Sequence, residues 1–74
     1  MNAERLVAMA NDIAAFFDAE SGTQAAGEVC RHLVRFWDPR MREQIVGYAA
    51  ADGSGLSPTA REAVKLLSAS ASSH

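Results

Sequence analysis

The chain has one cysteine, two prolines, two histidines, a single lysine and five aromatic residues among 74. Each scarcity excludes something. Cys30 has no partner within the chain, which excludes a disulfide-stapled secreted mini-protein and fits a reducing cytoplasm. An iron–sulfur cluster held within the chain would need thiolates that it lacks, and Cys30, His32 and His74 fall short of a four-ligand structural zinc site. No apolar run approaches the roughly 18 residues of a membrane span, and the first residues lack the charged-then-apolar pattern of a secretory signal, so no membrane partner and a cytoplasmic location are expected. Seven basic against nine acidic residues give a net charge of -2 without any long basic run, which does not favour nucleic acid. The length excludes a two-domain enzyme.

Alanine is abundant instead. It supplies 15 of the 36 apolar residues and leaves only 21 larger ones, a composition that favours helices and close backbone approach but offers few large side chains to bury. A domain of this size buries only about 60% of its unfolded surface, so apolar gain and ordering entropy nearly cancel. Stability borrowed from a partner, or self-association of the isolated chain, is expected.

At 100° per residue, Leu6, Met9, Ala10, Ile13, Phe16 and Phe17 fall within an arc of about 120°, the mark of an amphipathic helix. Asn2 can cap it, Glu4 suits its positive end, and Ser21-Gly22 marks its stop. The reverse face, Ala8, Asn11, Ala15 and Ala19, is either helix filler or a second packing face. A second helix, from about Thr23 to Phe36, places Ala26, Val29, Cys30, Leu33, Phe36 and Trp37 on one stripe, with Ser21 or Thr23 as its cap and Gln24 completing a capping box with Ser21. Asp38-Pro39 ends it and starts a third helix, because aspartate caps and proline is preorganised for the first helical position. That helix runs to about Ala50 and presents Met41, Ile45, Tyr48 and Ala49 inward. Asp52-Gly53-Ser54-Gly55 is turn chemistry, and Ser57-Pro58 opens a fourth helix with Ala60, Val64 and Leu67 inside and Leu66 outside. The expected fold is an all-α bundle of three to four short helices over residues 1–67, followed by a flexible Ser/Ala-rich tail over 68–74.

Catalytic constellations do not emerge from this pattern. Cys30 and His32 lie about 200° apart on a helix and cannot form a dyad, so Cys30 is a buried, inert thiol and His32 a surface partner of Glu28. Gly53-Ser54-Gly55 lacks the lysine and the strand of a phosphate-binding loop. The concentrated feature is basic and aromatic: Arg31, Arg35, Arg40 and Arg42 surround Phe36, Trp37 and Met41, and these seven residues are the candidate partner-binding set. A solvated basic face beside a core tryptophan has the same pattern. Arg31 and Arg35, like charges one turn apart, would be relieved by an acidic partner, which favours a protein interface.

Three blocks carry a resemblance: Leu6-Val7-Ala8-Met9-Ala10-Asn11-Asp12-Ile13-Ala14-Ala15-Phe16-Phe17, then His32-Leu33-Val34-Arg35-Phe36-Trp37-Asp38-Pro39-Arg40-Met41-Arg42, and Gly55-Leu56-Ser57-Pro58. Together they resemble the small delta subunit of cytoplasmic, molybdenum-containing, NAD-dependent formate dehydrogenases. The uninterrupted Phe-Trp-Asp-Pro-Arg-Met run and its spacing to Leu-Ser-Pro are the specific part. The resemblance implies a non-catalytic subunit that binds the large molybdenum-carrying subunit, binds no cofactor itself, and supports assembly or stability while other subunits hold the molybdenum, flavin and iron–sulfur groups. A transient assembly chaperone for the same enzyme would use the same surface, and a small helical nucleic-acid-binding homodimer would turn its arginines to phosphates.

Overall fold

In a computed structural model, which describes residues 2–72 and the side-chain surroundings of residues 2–70, the chain forms four helices and, among the described residues, no strand. They are α1 (Ala3–Ser21), α2 (Ala25–Phe36), α3 (Pro39–Ala51) and α4 (Pro58–Ser72), with a 3-10 turn at Gly22–Gln24 between the first two. All three corners lie where local chemistry expects them. Asn2 Oδ1 accepts the Arg5 amide at 2.8 Å, Asp38 Oδ1 accepts the Met41 amide at 3.0 Å, and Ser57 Oγ accepts the Ala60 amide at 3.2 Å. Each bond satisfies an amide that a helix start leaves unpaired. Pro39 and Pro58 occupy the first helical positions, where a missing amide costs nothing. Gly22, with φ of 55°, stops α1. The expected capping box does not form: neither Ser21 nor Gln24 makes a side-chain cap, and the Ala25 amide closes the 3-10 turn on the Gly22 carbonyl.

The core rests on five fully buried larger side chains, Leu6, Val29, Leu33, Ile45 and Val64, with Ala10, Ala14, Ala60 and Ala63 packed among them. Alanines at these contacts let α1 and α4 approach closely, and both lie at the centre, each touching α2 and α3. α3 and α4 turn their expected faces inward: Ile45, Val64 and Leu67 are buried, Met41, Tyr48 and Ala49 pack on the core, and Leu66 is exposed.

The first two helices correct the expected stripes. α1 buries Leu6, Val7, Ala10 and Ala14, a side rotated by roughly a quarter turn from the stripe drawn through its phenylalanines, and leaves Phe16 61% exposed. α2 buries Ala25, Val29 and Leu33, a strict i, i+4 stripe ending at Trp37, and leaves Phe36 68% exposed. Small residues at the α1 contact explain the rotation, since burying Phe16 there would push the neighbouring helices apart. On the reverse face of α1, Ala8, Ala15 and Ala19 are exposed filler, whereas half-buried Asn11 is recruited. Its Nδ2 donates to the Gly55 carbonyl at 2.7 Å and its Oδ1 accepts the Ser57 amide at 2.8 Å. Leu56, buried between these two contacts, plugs the loop onto the bundle.

α4 continues through Ser72, into the stretch expected to be a flexible tail. Alternating alanine and serine contain no helix-breaking residue, and alanine is the best helix former. Residues 73 and 74 of the expected tail lie outside the described residues.

Candidate partner-binding surface

The seven basic and aromatic candidates separate into two groups. Trp37 is only 5% exposed and belongs to the core, and Met41 packs against it. Arg42 is committed to the fold: one Nη1 donates to the carbonyls of Val34 and Trp37, both at 2.8 Å, closing the last turn of α2. These orphan carbonyls are the groups that a cation at a helix C-terminus satisfies. Trp37, Met41 and Arg42 therefore build the corner, Trp37 buried and Met41 and Arg42 half-buried. Arg31, Arg35, Phe36 and Arg40 remain outward. Arg31 pairs with Glu28, three residues earlier.

That pairing corrects the expected role of His32. Rather than meeting Glu28, its ring is part of a continuous run of four rings crossing from α1 to α2. Phe16 stands edge-on to Phe17 at 5.1 Å between centroids, Phe17 meets His32 at 6.1 Å, and His32 lies 4.6 Å from Phe36. Offset and edge-on arrangements at such distances suit aromatic quadrupoles. The middle rings, Phe17 and His32, are half-buried and rest on the core side, so the outer two, Phe16 and Phe36, are held in the open. Beside them lies a shallow hollow of about 310 Å³, lined by Asp12, Ile13, Phe16, Phe17 and His32. Phe16, Phe17 and His32 were absent from the expected set. Two patterns could have found them: adjacent Phe16 and Phe17, 100° apart, cannot both centre on a contact, and His32 and Phe36 form an i, i+4 aromatic pair.

A larger hollow of about 530 Å³ lies between α3 and α4, lined mainly by Val46, Ala49, Ala50, Val64 and Ala69 with Arg61 and Lys65 at its edge. Arg61 is engaged there, its Nη2 donating to the Gly53 carbonyl at 2.9 Å. Among the described residues, no three His, Cys, Asp or Glu side chains gather as a metal site, and no polar or charged side chain is buried. Cys30 is half-buried; burial pushes its thiol up from the ordinary value, with Arg31 offsetting part of the effect, a shift that favours the thiol over the reactive thiolate.

The surface is therefore apolar and aromatic with a basic margin, and in that setting the family comparison is decisive. The family model described as NADH-dependant formate dehydrogenase delta subunit FdsD matches residues 5–64. The chain belongs to that family. No match was found among curated proteins or among solved structures. The span matched by the delta-subunit model runs from the first turn of α1 to the middle of α4 and includes all four rings. No helix of the described residues is long and apolar enough to cross a membrane. For a delta subunit, a surface facing other chains is the feature to weigh.

Proposed function

We propose that the chain is a non-catalytic accessory subunit, cytoplasmic like the enzyme it serves, that binds the large molybdenum-carrying subunit of an NADH-dependent formate dehydrogenase and supports its assembly or stability. The observation carrying this reading is the delta-subunit match over residues 5–64. The character of the surface supports it. Catalysis needs titratable or nucleophilic groups gathered in a protected pocket, whereas this chain gathers phenylalanines on its outside and commits its arginines to helix ends, carbonyls and margins.

The test is purification of the tagged full chain from cells that make the other subunits. Near-equal recovery of the large subunit, together with formate-dependent NAD reduction, is the expected result. Assembled, fully active enzyme from cells lacking this chain would overturn the reading. Recovery only with large subunit that has not yet received its molybdenum group would mark a transient chaperone instead.

A further inference from the structure

We propose that the four-ring surface formed by Phe16, Phe17, His32 and Phe36 is the docking face, and that its occupant is an amphipathic segment of the large subunit bringing large apolar side chains to the rings and a carboxylate to Arg35; this rests on the accessory-subunit reading. Exposing two of three phenylalanines at 61% and 68%, in a chain with few large apolar residues, leaves an apolar patch that the bundle itself does not cover. The rings are also preorganised. Each outer phenylalanine stacks on a half-buried neighbour, so little side-chain entropy is lost when a partner covers it. The adjoining hollow, open and about 310 Å³, is at the lower end of small-molecule sites and suits an inserted side chain better than an enclosed ligand.

Charge identifies the partner's chemistry. The chain carries a net charge of -2, yet the α2 margin of the rings is basic: Arg31 and Arg35 are exposed along it, and Glu28 answers only Arg31. Arg35 flanks Phe36 and follows Arg31 by one turn without a hydrogen bond or ion pair to any described residue. A carboxylate beside the apolar ridge of the partner completes that arrangement. The acid belongs on the α2 side, because Asp12 occupies the α1 side of the hollow.

The test is competition inside cells that make the whole enzyme, with a tagged variant and an untagged wild-type chain expressed equally and the share of tag in purified complex measured. Phe16→Ser with Phe36→Ser should enter complex at least tenfold less often than tagged wild type. Arg35→Glu should reduce its share severalfold, Arg35→Lys should retain most of it, and Lys65→Glu, on the α3–α4 side, should match wild type. Arg35 makes no hydrogen bond or ion pair within the described residues and gives the fold only its charge in the last turn of α2, so its reversal, once circular dichroism shows native helicity, remains informative even where the double phenylalanine variant fails that check. Failure of the tagged wild type to recover the large subunit would defeat the underlying reading. Wild-type entry with equal entry of the double variant and Arg35→Glu would leave that reading intact and overturn this docking face. So would variants that only turn a self-associating free chain monomeric while entering complex normally.

Discussion

Two arginines two positions apart, Arg40 and Arg42, have unrelated work. Arg42 holds two carbonyls of the α2 terminus and the corner, whereas Arg40, the second residue of α3, stands in solvent. Arg42→Ala leaves those carbonyls without their charged donor and should lower stability by about 2 kcal/mol, the scale of hydrogen bonds to charged groups. Arg40→Ala should change it by less than about 0.5 kcal/mol. Urea unfolding of both variants, compared at equal slope, makes the measurement. Cys30 offers a second residue-scale test. Its thiol titrates higher folded than unfolded, chiefly through burial. The folded state then holds its proton more tightly, so its contribution to stability is complete below the ordinary thiol value and is lost as pH rises from there toward the raised one. Alkylation at pH 8 should be much slower for the folded chain than for the chain in denaturant. Equal rates would show an exposed, ordinary thiol.

At the scale of elements, the loop between α3 and α4 is secured from α1 as well as by its own turn. Asn11 offers both ends of its amide to Gly55 and Ser57, and Tyr48 donates its hydroxyl to the Ser54 carbonyl at 2.6 Å. Within the turn, Gly53 has φ of 73°, and a Cβ there would come within 3.2 Å of the Ala49 carbonyl oxygen. Asn11→Ala removes both amide contacts at once and strands the Ser57 amide; a loss of about 2 kcal/mol is expected, with hydrogen exchange speeding up first in residues 53–57. Uniform acceleration across all four helices would mean that the loop is not a separate unit. These contacts also explain what the sequence could disclose. Asp38-Pro39 and Ser57-Pro58 announce helix starts because their chemistry is complete within four residues. Asn11 reaches a partner 44 positions away, which no local pattern contains. The orientation of α1 was illegible for another reason: hydrophobic periodicity counts Phe16 as core, while the close approach of helices selects Ala10 and Ala14. The outward placing of Arg31, Arg35 and Arg40 follows from their spacing; the contact of Phe16 and Phe17 with His32 and Phe36 exists only once α1 and α2 are packed.

At the scale of the molecule, the packing leaves a small core and an uncovered apolar face. Among the described residues only five larger side chains are buried completely, alanines fill much of the remaining contact, and two phenylalanines contribute little by being outside. A single core in a chain of about this size rarely supplies more than about 3–5 kcal/mol, and we expect the isolated monomer to unfold within that range. Trp37 reports the transition cleanly, being the only tryptophan and buried at the α2–α3 corner. Its fluorescence during urea titration gives the free energy, and a monomer above about 8 kcal/mol would contradict the estimate. Repeating the titration at several chain concentrations separates two ways of covering the exposed rings. A midpoint that rises with concentration shows self-association, because binding between copies stabilises only the folded form. A fixed midpoint shows that the free chain tolerates its exposed face. In either case the cognate subunit should stabilise it further, by about 2.7 kcal/mol at a hundredfold excess over the dissociation constant, so that a marginal bundle becomes secure on assembly.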